Sequence, residues 1–203
     1  MKTSKNITAA VLDQALALLA ERLRFNSAQP QHLVVCGGSG LIALDLVPRT
    51  TADVDVVALT NESGSDLFDP DPLSPELIRA AREVAPVLQL DANWLNNGPS
   101  KGDGGLFRMG LPAGFLARCH RRSYGAHLTV SFVDRFDQIH FKVYAAVDRG
   151  GYHIDDLRAL HPSPEELEKA GRWAMTHDVS EGFRTLLKNL YRSLGYEIAA
   201  GRI

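Results

Sequence analysis

VVCGGSGLIALDLVPRTTADVDVVAL, running from Val34 to Leu59, carries an apolar strand into a glycine turn, a short helix and a second strand that opens on two acids. Side chains alternate along a strand, so Asp53 and Asp55 share one face while Val54 and Val56 take the other. Two neighbouring carboxylates repel each other and lose hydration when they are partly buried, which places a cation between them. A hard divalent ion, Mg²⁺ or Mn²⁺, suits carboxylate oxygen and completes its shell with water and phosphate. Gly38 and Gly40 let backbone N–H groups approach a phosphate, Ser39 adds a hydroxyl, and the helix that follows turns its positive end to the anion. Arg49, just ahead of the acids, has the reach to touch phosphate or to steady the carboxylates.

Outward from this stretch, Thr8 to Arg24 spaces its apolar residues as an amphipathic helix. His32 to Cys36 reads as a short buried strand, Gly40 to Leu46 as a brief helix stopped by Pro48, and Asp53 to Leu59 as the second strand. Asn61 to Glu76 is a polar loop, and Leu77 to Leu90 a helix with Ser74 and Pro75 at its start. Asn96 to Gly105 is a second loop, with so few apolar anchors that mobility is expected. Alternation returns from Leu128 to Val133, a third strand. Helices follow over Asp137–Val147, Asp155–Leu160, Ser163–Thr176 and Glu181–Ile198, the third opened by a capping-box pattern, Ser163-Pro164-Glu165-Glu166. The fold class expected is α+β: a mixed core over residues 1–160, with residues 161–203 a helical C-terminal extension of the same domain.

Gly-Gly-Ser, a gap, then Asp-x-Asp on a strand resembles the signature of the DNA polymerase β-type nucleotidyltransferase superfamily. RTTADVDV, Arg49 to Val56, resembles its AbiEii-like and toxin-type branches. GLPAGFLAR (Gly110 to Arg118) and FDQIHFKVYAAVDRGGYHIDDLRAL (Phe136 to Leu160) resemble the later segment of those proteins, and WLN at Trp94 to Asn96 is a weaker echo. The resemblance implies a sheet flanked by helices that transfers a nucleoside monophosphate from an NTP to a hydroxyl of RNA, protein or a small molecule. It implies metal and catalytic roles for Asp53 and Asp55, nucleotide contacts from Gly38, Ser39, Arg49 and Lys142, and, for a toxin, an antitoxin partner. It also implies a third carboxylate on a neighbouring strand. Only Asp134 and Asp137 are offered after the Leu128 strand, and Asp134 shares its parity with Val130 and Phe132, so no third acid is expected in the usual position.

The chain has 203 residues, 45% of them apolar, enough for one well-buried domain. A formal net charge of −2 leaves nucleic-acid contact to a local patch, for which Arg118 to His127 is the candidate. The N-terminal segment, with Lys2 and Lys5, has its apolar run broken by Asp13, Gln14, Glu21 and Arg22, so no export signal or membrane contact is expected and the cytoplasm is the default. Cys36 and Cys119 lack metal-ligand spacing. Two rival readings share the glycine turn. One is a catalytically degenerate module of the same fold that binds a nucleotide or a protein. The lesser is a dinucleotide-binding protein, from the fingerprint Gly38-Ser39-Gly40-Leu41-Ile42-Ala43 with Glu62 as the ribose acid.

Overall fold

The computed structural model describes residues 5–203, so Lys2 lies outside the described residues. The chain is α+β, with a mixed sheet flanked by helices, and it divides into two compact units, Met1–Val133 and Asp134–Ile203. The division falls at the end of the last strand, earlier in the chain than the 160/161 boundary read from the sequence.

In the first unit, α1 (Ala9–Phe25) starts at Thr8, whose hydroxyl accepts from Val11 N, and buries Leu12, Leu16, Leu19 and Leu23 on one stripe. β1 (Gln31–Cys36) leads into α2 (Gly37–Ala43) and then β2 (Val54–Thr60), β3 (Leu67–Phe68), α3 (Pro75–Leu88) and β4 (Leu95–Asn96). Ser74 caps α3 by accepting from Leu77 N, with Pro75 in the first turn. A 3₁₀ turn at Gly98–Ser100 and two single-turn helices, α4 (Leu106–Met109) and α5 (Phe115–Arg118), precede β5 (His120–Ser123) and β6 (Leu128–Phe132).

The sheet order is β3-β2-β1-β6-β5, with β4 also pairing β2. β1 and β2 run antiparallel, while β1 runs parallel to β6 and β2 parallel to β4. The antiparallel β1–β2 pairing corrects the dinucleotide reading, because that fingerprint needs a crossover between parallel strands. Nor do β6 and β2 touch, since β1 lies between them. The Leu128 strand therefore brings nothing alongside Asp55.

The second unit is helical: α6 (Arg135–Arg149), α7 (Tyr152–Ala159), α8 (Pro164–His177), α9 (Glu181–Ser193) and α10 (Glu197–Gly201). Asp134 caps α6, its carboxylate accepting from Phe136 N at 2.8 Å, so the helix begins ahead of the Asp137 start read from the sequence. The capping box of α8 is formed in both directions between Ser163 and Glu166. The single helix expected from Glu181 to Ile198 is broken at Gly195, which takes φ +84°. Within this unit Trp173 meets the rings of His140, Phe141, Tyr144 and His177, and the buried Tyr191 hydroxyl donates to Leu167 O at 2.6 Å. No helix of the described residues is long and apolar enough to cross a membrane.

Candidate nucleotide and metal site

β2 is the central element of the site. Val54 and Val56 are fully buried, whereas Asp53 and Asp55 on the alternate positions are half-buried, so the parity read from the sequence holds. At Asp55 the strand is flanked on both edges, by Cys36 of β1 and by Asn96 of β4. Asp53 lies one residue before β2 and accepts a long hydrogen bond, 3.4 Å, from Thr51 Oγ1. Thr51 is itself fixed by reciprocal backbone bonds with Ile7.

The glycine turn and the acids form one assembly. Gly37 sits at φ +66°, and a Cβ there would lie 2.7 Å from Asp55 Oδ2. At Gly38 a Cβ would lie 2.6 Å from Thr51 Oγ1 and 3.1 Å from an Nη of Arg49. Glycine is needed at both positions because the side chains of the Arg49–Asp55 stretch close on the bare backbone of the turn. Arg49 anchors its guanidinium by donating to Thr50 O at 2.8 Å and lies beside Gly38. Gly37 and Thr51 were not singled out from the sequence, although the double glycine and the second threonine of RTTADVDV were their signals.

Two of the expected nucleotide contacts are otherwise engaged. Ser39 is fully buried, and its hydroxyl donates to Cys36 O at 3.2 Å, so it braces the start of α2. Lys142 belongs to the second unit, where its ammonium lies 2.7 Å from Asp156 Oδ2, and both side chains are almost completely buried. The Tyr152 ring centroid is 5.6 Å from the same ammonium. A phosphate would have to displace Asp156 to take this lysine.

The basic segment at Arg118 to His127 contains edge strand β5, and its arginines tie elements together. Arg121 donates to the carbonyls of Glu62 and Ser63. Arg122 bonds Asp13 and Ala43 O and stands 5.2 Å from the Phe132 ring centroid. The Tyr124 hydroxyl donates to Asp13 at 2.8 Å, and burial together with that bond pushes it up to about 12. These engagements tie Arg121, Arg122 and Tyr124 to neighbouring elements.

The loop after β4 is held by polar bonds where apolar anchors are few. Ser100 is fully buried and donates to Val57 O at 2.7 Å, and the Asn97 amide donates to Pro70 O and Asp71. The Gly102 N–H donates to the other oxygen of Asp71. These two N–H donors, aided by the charges of Arg108 and Lys101, hold the Asp71 carboxyl below its usual range. Arg108 also bonds Asp69 and Asp103.

Two carboxylates with water and phosphate are a suitable donor set for a hard divalent ion, and among the described residues no three His, Cys, Asp or Glu converge as a self-sufficient cage. No protein-family model, curated protein or solved structure matches the chain.

Proposed function

We propose that this protein is a metal-dependent nucleotidyltransferase that moves a nucleoside monophosphate from an NTP to a hydroxyl of an RNA, protein or small-molecule acceptor. One observation carries the proposal: the Asp55 carboxylate lies against the bare backbone of Gly37, so acid and glycine turn are adjacent in space as well as in sequence. Asp53 and Asp55 would hold Mg²⁺ or Mn²⁺, whose contribution is to neutralise the triphosphate charge around the reacting phosphorus. Gly38 lines the turn, and Arg49 beside it supplies a fixed cation for phosphate oxygen. In the transfer, the acceptor oxygen bonds to the α-phosphorus, the bond to the bridging oxygen breaks, and pyrophosphate leaves. The acceptor proton passes to a base from solvent or substrate.

Incubation with each labelled NTP, Mg²⁺ and total RNA or cell lysate tests this. Label should reach a macromolecule only with metal present and should fail to do so in Asp53→Asn. If the activity is that of a toxin restrained by an antitoxin, expression should arrest growth in the parent and not in Asp53→Asn. A second reading, nucleotide binding without transfer, is favoured by the neutral Asn96 beside Asp55 where a further acid would assist deprotonation. It gives metal-dependent nucleotide binding with no label transferred.

A further inference from the structure

Asn96 is the residue that β4 brings to the site. It pairs with Asp55 in parallel register, and in-register neighbours share a face of the sheet about 4.8 Å apart. Its approach is fixed from both sides. Trp94, two residues earlier, is fully buried, donates its indole N–H to Ala81 O, and accepts from Val54 N at 2.6 Å. Asn97, one residue later, is bonded to Pro70 O and Asp71.

The orientation of the amide is chemically determined. Gly98 N–H meets the Asn96 side chain at 2.7 Å, and because an N–H only donates, the atom it meets is the oxygen Oδ1. One lone pair of that oxygen is engaged, and the Nδ2 group of the same amide is a donor. A donor is the wrong polarity for a cation and the right one for an anion's oxygen. Charge supports the same assignment: two carboxylates balance one divalent ion and leave the Arg49 cation to favour a polyphosphate, whereas a third carboxylate would cancel it.

We infer that Asn96 is a substrate-binding residue whose Nδ2 amide donates to a phosphate oxygen of the nucleoside triphosphate held at Asp53 and Asp55. This rests on the nucleotidyltransferase reading. The consequence is a division of labour on one face of the sheet, β2 holding the cation and β4 the anion.

Two variants test it. Asn96→Asp keeps an acceptor for Gly98 N–H, nearly preserves shape, and replaces the donor by a charge; Asn96→Ala removes both. Affinity is read with fluorescent analogues of ATP, GTP, CTP and UTP, each tried singly with Mn²⁺. Mn²⁺ binding without nucleotide is read by electron paramagnetic resonance, and melting temperature reports the fold. Both variants should weaken nucleotide binding about tenfold or more, as expected for a lost hydrogen bond to a charged group. Mn²⁺ affinity without nucleotide should be unchanged in Asn96→Ala and tighter in Asn96→Asp. Unchanged nucleotide affinity in Asn96→Asp overturns the assignment, as does parallel loss of Mn²⁺ binding in Asn96→Ala, which would make Asn96 a metal ligand. Parent protein that binds neither Mn²⁺ nor any of the four analogues overturns the underlying reading along with it.

Discussion

At Gly37 the backbone and the acid meet so closely that no other residue fits. Gly37→Ala would place a methyl 2.7 Å from Asp55 Oδ2 at a φ of +66°. The left-handed conformation alone costs a β-carbon about 1–2 kcal/mol, and Asp55 must move as well. The expected outcome is a lower melting temperature together with weakened Mn²⁺ binding, measured on the same preparation. Asp53→Asn should behave in the opposite sense without metal: removing one of two repelling charges leaves the metal-free protein equally or more stable, while metal-dependent nucleotide binding is lost. A large drop in its metal-free melting temperature would mark Asp53 as structural. The sequence made these two acids legible because strand parity is a local property, and Val54 and Val56 fixed it. Asn96 gave no such signal. Its meaning comes from pairing with a strand some forty residues earlier, and a two-residue strand has no periodicity to read.

Among the elements, helices with capped starts were readable: Ser74 and Ser163 each accept the backbone N–H that their positions suggested. β5 was not, because an exposed edge strand written His-Arg-Arg-Ser looks like a solvated basic patch. α6 and α7 are joined by the Lys142–Asp156 pair, whose burial only the folded structure reveals. Lys142→Met leaves the Asp156 carboxylate buried without its cation, and such single removals destabilise by about 3–5 kcal/mol. Denaturant unfolding should register this loss, and the double variant Lys142→Met/Asp156→Leu should recover much of it. The clasp on the loop after β4 carries a pH dependence of definite sign. Because the Asp71 carboxyl is held below its usual range, its contribution is fully present above the unfolded value of about 3.9 and fades as pH falls through the lower folded value. Melting temperatures of Asp71→Asn and the parent should therefore differ at neutral pH and converge in acid. Curves that stay parallel would show that the carboxylate charge is not what the clasp uses.

For the molecule as a whole, the α+β class followed from the sequence because strand-like and helical periods are segregated along the chain, with helices alone after β6. The break between units at Val133 and Asp134 was less visible, since no polar linker marks it and a single residue, Val133, separates the end of β6 from the cap of α6. Strand order was hidden for the same reason as Asn96. Whether β6 or β4 flanks β2 is decided by long-range pairing, and the answer determines which side chain stands beside Asp55. The central claim is that Asp53 and Asp55 hold a divalent ion at the glycine turn in order to bind an NTP. Crystals grown with Mn²⁺ and a non-hydrolysable NTP, measured at the manganese absorption edge, test it most directly. An anomalous peak in contact with both carboxylates and with the triphosphate, beside Gly37, is expected; nucleotide bound with the peak elsewhere, or with no manganese at these two aspartates, would contradict it.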